Sequence, residues 1–188
     1  MTSEKDILKI KAVLLYLLNK FDKEVDYIKL FKLLYLAQKN HLKLYGIPLI
    51  KDDFYTFKAG PAPSITYNIC KVANGDLKDK TLKSIANSIQ VNEDKIKNIK
   101  YVCALEKPEL IRLSKSNMNV LDFVYNKYHD HSSNKLSKIA HDSAWKKNWD
   151  DSTEKSQRIP IMDVVDAAKV SKGMKSYINE TMIMNGMS

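Results

Sequence analysis

Near the start of the chain, apolar residues recur every three or four positions, as they do on one face of an amphipathic helix. The residues concerned are Ile7, Ile10, Leu14, Leu17, Leu18 and Phe21. Asp6 stands immediately before them and is the predicted N-cap, because its carboxylate can accept hydrogen bonds from the first free backbone amides. The pattern therefore predicts a helix over residues 7–21.

The segment 26–45 has the broadest apolar surface in the chain. A helix that is apolar on most sides usually lies at the centre of a core. Asp26 is its predicted N-cap, and Gly46 with the proline that follows predicts its end. We therefore expect a central helix over residues 26–45. Three of its residues are expected to be largely buried: Leu30, Leu34 and Ala37.

Helical spacing returns in several shorter segments. The predicted helices cover residues 65–74, 82–89, 121–128, 136–140 and 161–168. Residues 92–99 predict a further short turn or helix, and the methionine-rich end from Met182 to Ser188 is expected to fray. If the helix at 136–140 continues, His141 and Trp145 share one face, since they lie four positions apart.

Three stretches favour extended structure. Phe54-Tyr-Thr-Phe57 is a predicted strand or extended connection, which leads to a rigid turn at Gly60 and Pro61. Residues 101–105 and 109–113 predict a hairpin or a pair of extended segments. The fold class expected from all these elements is mainly α, a single helical domain with a short β-hairpin or extended segments at most.

Composition narrows the class of protein. The chain has 188 residues, of which 44% are hydrophobic and 28% are charged, as in an ordinary globular protein. No apolar run is long enough to cross a bilayer, and the first residues include acids where a signal peptide would be basic. We expect a cytoplasmic protein that does not bind membranes. Cys70 and Cys103 are expected to be reduced and buried.

The net charge of +9 raises the question of nucleic-acid binding. Arg112 and Arg158 are the only arginines, however, and arginine is the residue that pairs with guanine and stacks on bases. The lysines are spread along the chain and form no tract. Nucleic-acid binding therefore stays open and is not favoured.

No motif for catalysis is complete. The five glycines are isolated, so no phosphate-binding loop is present. Three histidines, His129, His131 and His141, could in principle hold a metal ion, but no acidic or cysteine partner has ligand spacing. We predict no catalytic, cofactor-binding or metal-binding residue. A small hydrolase or metal enzyme built on these histidines is kept as a third alternative.

Three stretches in a fixed order resemble a known family. They are Lys29-Leu-Phe-Lys-Leu-Leu-Tyr-Leu-Ala-Gln38 with Tyr45-Gly-Ile-Pro-Leu49, then Asp53-Phe-Tyr-Thr-Phe-Lys-Ala-Gly-Pro61, then Leu136-Ser-Lys-Ile-Ala-His141 with Trp145 close behind. This order is similar to that of the Panacea, or SocA-like, domain of bacterial and phage proteins. The chain departs from the family pattern at three positions, where the family often has Trp, Val and Thr: Phe57, Ala62 and Ala140.

The resemblance implies a binding protein. Panacea domains act as antitoxins that neutralise partner toxins, usually encoded alongside, and a related member delivers its toxin to a protease. The division expected is an N-terminal helix packed on the core in residues 1–24, the Panacea domain in 25–150 and a C-terminal helical extension in 151–188. We expect a non-catalytic antitoxin that binds a cognate toxin from an adjacent gene. A nucleic-acid-binding regulator or a protease adaptor of phage or prophage origin is the alternative.

The residues expected at the partner-binding site come from the shared motifs and from two aromatic groups. They are Phe54, Tyr55, Phe57, Gly60, Pro61, His141, Trp145 and Trp149. Aromatic side chains dominate the energetics of protein interfaces. Residues of a shared motif usually meet in space, so we expect the corner at Gly60 and Pro61 to lie against the segment that carries His141.

Overall fold

The computed structural model describes residues 2–184. The helices, in chain order, are α1 (Glu4–Leu18), α2 (Tyr27–Tyr45), α3 (Ser64–Asn74), α4 (Lys80–Ala86), α5 (Lys115–Tyr128), α6 (Ser133–Ala140), α7 (Ser143–Asn148), α8 (Ile161–Ala167) and α9 (Lys172–Met184). The strands are β1 (Val25–Asp26), β2 (Phe54–Tyr55), β3 (Ala62–Pro63), β4 (Ile89–Asp94) and β5 (Ile99–Ala104). The predicted fold class is confirmed: the protein is mainly α, with small antiparallel sheets.

Helix α2 is the central element, as its apolar pattern predicts. The Asp26 side chain accepts a hydrogen bond from the Ile28 amide at 2.6 Å, and Gly46 ends the helix in the left-handed conformation at φ +67°. Both predicted caps are confirmed. The three residues expected to be buried are no more than 1% exposed: Leu30, Leu34 and Ala37.

Two apolar clusters share α2. The larger cluster joins one side of α2 to α1, α3, α5 and the β4–β5 hairpin. The smaller cluster joins Tyr35 and Leu42 of α2 to residues of α7, α8 and α9. Met182 belongs to this second cluster and is 6% exposed, so the expectation that the chain frays from this residue is wrong. Residues 185–188 lie outside the described part of the chain.

The N-terminal helix begins earlier than its apolar stripe indicates. Ser3 is its N-cap, and Asp6 occupies the third helical position, where its carboxylate accepts hydrogen bonds from Ser3 while the Ser3 hydroxyl accepts one from the Asp6 amide. This is a capping box. The prediction that Asp6 is the N-cap is therefore wrong, and the helix ends at Leu18.

The β4–β5 hairpin occupies the end of the helix predicted over residues 82–89 and the short turn or helix predicted over 92–99. Of the second prediction, a turn is found at residues 95–98, between the two strands. Ile89 begins β4 and pairs with Ala104, so it does not extend α4. The Asp94 carboxylate accepts hydrogen bonds from the amides of Ile96 and Lys97, both at 3.1 Å. These bonds stabilise the turn that connects β4 to β5. Residues 109–113 contain a short 3₁₀ turn and do not pair with 101–105, so the hairpin predicted between those two segments is also wrong.

Helix α3 is capped by a residue from outside the helix. Its N-cap is Pro63, whose side chain cannot accept a hydrogen bond. The buried Asp52 carboxylate takes this role, accepting hydrogen bonds from the Ile65 amide, the Thr66 amide and the Thr66 hydroxyl at 2.8, 2.9 and 2.8 Å. Burial raises the pKa of Asp52 to about 6, and the three hydrogen bonds act in the opposite direction.

The described part of the chain contains no helix that is both long enough and apolar enough to cross a membrane. Cys70 and Cys103 are free thiols. Cys70 is buried as expected. Cys103 is only partly buried, because the face of β5 that carries it is only partly covered by other residues.

Replacing Leu34 by Ala is expected to lower the free energy of unfolding by about 2–5 kcal/mol, since it leaves a cavity in a close-packed core. Urea titration followed by circular dichroism measures this. Leu44→Ala, on the same helix but 57% exposed, is the control and should change the free energy by no more than about 0.5 kcal/mol. Equal effects of the two substitutions would contradict the central position of α2.

Asp52→Ala is expected to destabilise the protein by about 1–3 kcal/mol, because three donors at the start of α3 lose their acceptor. The neighbouring Asp53 forms an exposed ion pair with Arg158, so Asp53→Ala should cost only about 0–1 kcal/mol. Thermal or urea unfolding of both variants at one pH makes the comparison. The cap assignment fails if the two costs coincide.

Candidate functional site

A buried lysine of α2 lies under the turn at Gly60 and Pro61. Lys32 is 2% exposed, and its Nζ donates a hydrogen bond to the Pro61 carbonyl at 2.8 Å. Within residues 2–184 this ammonium group forms no ion pair. Burial lowers the pKa of Lys32 to about 7, and the charge of Asp26 raises it slightly in return. The amine therefore titrates close to physiological pH, where its charged and neutral forms are both populated.

Gly60 lets the turn approach α2 closely. Its φ is +103°, a conformation that residues with a Cβ rarely adopt. A Cβ at this position would lie 2.9 Å from Lys32 Cε and 3.1 Å from His141 Cδ2. The predicted proximity of the Gly60 corner and His141 is confirmed, and a Cβ at residue 60 would crowd both side chains.

His141 lies at a break between two helices. It is the C-cap of α6, and Asp142 is the N-cap of α7. The continuous helix considered for residues 136–145 is therefore wrong. The His141 ring nevertheless stacks on Trp145, with centroids 3.8 Å apart and planes at 13°. Desolvation, followed by the charge of Lys32, lowers the pKa of His141, and within the described residues its buried Nε2 has no hydrogen-bond partner.

Asp142 connects the helix break to α2. Its carboxylate accepts hydrogen bonds from the amides of Ala144 and Trp145 at the start of α7. It also accepts one from the Tyr35 hydroxyl, 3.1 Å from each oxygen, and pairs with Lys39 Nζ at 2.5 Å. Burial, followed by the charge of Asp142, raises the pKa of Tyr35. This one carboxylate fixes the direction of α7, and hence the position of Trp145.

Trp145 and Trp149 form a stack that starts at His141. The two indole centroids are 5.5 Å apart, with planes at 18°. Trp145 Nε1 donates to the Phe57 carbonyl at 3.0 Å, so this tryptophan faces the segment 54–61 as predicted. Trp149 Nε1 donates to Asp151 at 2.6 Å. Both indoles are partly exposed.

The aromatic segment divides into a buried and an exposed part. Phe54 is 4% exposed and packs edge-on against Tyr35. Tyr55 and Phe57 are partly exposed and, with Tyr67, line an open groove of about 260 Å³. Lys71 lies over the Tyr67 ring, its Nζ 4.4 Å from the ring centroid.

The structure brings all eight predicted site residues to one region but gives them different exposure. Three are buried and can act only by positioning other groups: Phe54, Gly60 and Pro61. Five are partly exposed: Tyr55, Phe57, His141, Trp145 and Trp149. Contact of these five with a partner stays a prediction.

Sequence reasoning missed four residues that hold this region together: Lys32, Tyr35, Lys39 and Asp142. A signal was present in the spacing. Lys32, Tyr35 and Lys39 lie three and four positions apart, so they form a polar line along a helix that is otherwise largely apolar. The role of Asp142 carried no such signal, because it depends on the break between α6 and α7.

The histidines considered for a metal enzyme make other contacts. His129 stacks on Tyr125 with centroids 4.8 Å apart, and His131 pairs with Asp130. In the part of the chain that the structure describes, no three His, Cys, Asp or Glu side chains form a group that could bind a metal ion.

A family model described as antitoxin SocA-like, Panacea domain, matches residues 30–146. The match covers more than half of the chain and includes Lys32, Tyr35, the Gly60 corner, His141 and Trp145. The chain belongs to this family. Comparisons with curated proteins and with solved structures gave no significant match.

The buried amine of Lys32 predicts a pH dependence. Its pKa is lower in the folded state, about 7 against an ordinary 10.5, so between these values the unfolded state binds more protons. Stability should therefore rise with pH from about 7, by up to about 1.4 kcal/mol per pH unit. In Lys32→Met this rise should be smaller, and stability at pH 7 should be close to or above that of the unmodified protein.

Urea unfolding of the unmodified protein and of both variants at pH 7, 8 and 9 tests this prediction. Lys43→Met, at an exposed position of the same helix, is the control and should keep the full pH dependence. Equal slopes for Lys32→Met and the unmodified protein would show that the buried amine is not the source.

Proposed function

We propose that this protein is an antitoxin that neutralises a protein toxin by binding it directly, without turnover of its own. The observation that carries the proposal is membership of the antitoxin SocA-like family across residues 30–146. The cognate toxin would be encoded by an adjacent gene, in a phage or prophage setting. Neutralisation would occur in the cytoplasm, by covering the active or target surface of the toxin.

The partner surface we propose is the exposed rim of the motif region, formed by Tyr55, Phe57 and Trp149. These rings lose little conformational entropy on binding, because their backbones and neighbouring rings are already held by the corner. Rigid aromatic side chains of this kind are the usual hot spots of interfaces. The surplus of lysine, part of the net charge of +9, would speed the encounter with an acidic toxin and add less to the affinity.

Co-expression tests the proposal. The product of the adjacent gene is induced alone and together with this protein, and growth is followed; the two proteins are then co-purified. The expected result is growth arrest by the neighbour alone, rescue by this protein and a stable complex. If the neighbour is neither toxic nor bound, while the purified protein turns over a substrate, the proposal fails and an enzymatic function replaces it.

Paired variants test the surface. Tyr55→Ala combined with Trp149→Ala should weaken the complex by about 2 kcal/mol or more, roughly thirtyfold in Kd. Phe123→Ala is the matched control, because Phe123 is an aromatic residue 47% exposed on α5. Calorimetry with the purified toxin measures both. Equal losses in the two proteins would place the interface elsewhere.

The net charge favours a second candidate function, a nucleic-acid-binding regulator. Its signature is a salt-dependent shift of DNA from upstream of its own gene that random DNA does not show. Delivery of the toxin to a protease is distinguished in cells, because an adaptor shortens the lifetime of the toxin, whereas an occluding antitoxin does not.

A further inference from the structure

A cavity lies away from the turn at Gly60 and Pro61. It is lined by α1, the loop that follows α2, and α9. Its volume is about 210 Å³. Its apolar lining includes side chains from the loop and from α9: Ile47, Ile50, Ile178 and Met182. The family match ends at residue 146 and starts at residue 30, so two of the three walls lie outside the shared domain.

Three charged residues stand at the edge of this cavity: Asp6, Lys9 and Lys51. The carboxylate of Asp6 is already engaged. One oxygen accepts hydrogen bonds from the amide and hydroxyl of Ser3, and the other pairs with Lys51 at 3.5 Å. The capping box and Lys51 thus use both oxygens of Asp6, which is the one acid among the described residues that line the cavity.

Of these three charged residues, Lys9 is the one whose side chain has no ion-pair partner within the described residues. It is partly buried, and within residues 2–184 its ammonium group has neither a hydrogen bond nor an ion pair. Burial lowers the pKa of Lys9, the nearby Lys51 acts in the same direction, and Asp6 raises it. Among the described residues at this edge, two ammonium groups therefore lie near a single carboxylate, which leaves an excess of one positive charge beside the apolar cavity.

We propose that this cavity binds a small anionic amphiphile, an aliphatic chain that ends in a carboxylate or a phosphate, with its anionic head between Lys9 and Lys51. An apolar pocket with a few convergent polar groups is the usual form of a small-molecule site. A cavity of 210 Å³ holds about seven groups of the size of water, at ~30 Å³ each. A chain of about six carbons suits that volume.

Binding there would add a contact between α9 and α1 to the packing of α9 on the second apolar cluster. Ile178 and Met182 come from α9, and Lys9 comes from α1, so a ligand in contact with all three holds both helices in place. The site is independent of toxin binding at the motif corner, and its test does not depend on that proposal.

The experiment titrates the full chain with four six-carbon probes that differ in their head group: hexanoate, hexyl phosphate, hexanol and hexylammonium. Calorimetry or NMR measures binding up to about 10 mM, a range that covers millimolar affinity. Saturable binding of hexanoate or hexyl phosphate is expected, and comparison of the two identifies the preferred head. Hydrogen exchange of the α9 amides should slow when the ligand is bound.

Lys9→Gln should weaken binding of the anionic probe about tenfold, because the charge that faces the head is removed. Lys5→Gln is the matched control, since Lys5 is an exposed lysine of the same helix and does not line the cavity. The proposal is overturned if no anionic probe saturates, or if hexanol or hexylammonium binds as tightly as hexanoate. An unchanged affinity in Lys9→Gln overturns it as well.

Discussion

The hydrogen bond from Lys32 to the Pro61 carbonyl is the constraint on which the motif region depends. A buried amine without an acceptor would be strongly destabilising, so the Pro61 carbonyl must stay within hydrogen-bond distance of Lys32 Nζ, which it does at 2.8 Å. With the turn held there, a Cβ on residue 60 would lie 2.9 Å from Lys32 Cε, and the φ of +103° also favours glycine at this position. The space above the glycine is then filled by His141, and the His141 ring sets the position of Trp145.

A second constraint comes from Asp142, which directly follows the C-cap of α6 and is the N-cap of α7. The carboxylate that caps α7 is the same one that accepts from Tyr35 and pairs with Lys39. The direction of α7 is therefore tied to α2 through side chains and not through the continuity of a helix. This explains how His141 and Trp145 can stack although they do not share a helical face.

The parts of the fold that were predictable from the sequence are those set by local interactions. Asp26 and Gly46 act on the backbone groups next to them, so the limits of α2 can be read directly from the sequence. Ile89 is different, because its position in a strand depends on pairing with Ala104. The burial of Lys32 was not predictable for another reason. Hydrophobic periodicity counts lysine as a polar residue, and its burial depends on an acceptor far along the chain, the Pro61 carbonyl.

In the candidate site, too, some features were predictable from the sequence and others were not. The meeting of the Gly60 turn with His141 and Trp145 was predictable, because the shared motifs named these residues. Their exposure was not predictable, and neither was the part played by the polar residues that hold the region together. Lys32, Gly60 and Pro61 are buried, whereas Tyr55, Phe57 and Trp149 are partly exposed and can meet another molecule. If the protein acts as the antitoxin we propose, the buried residues serve to hold Tyr55, Phe57 and Trp149 rigid.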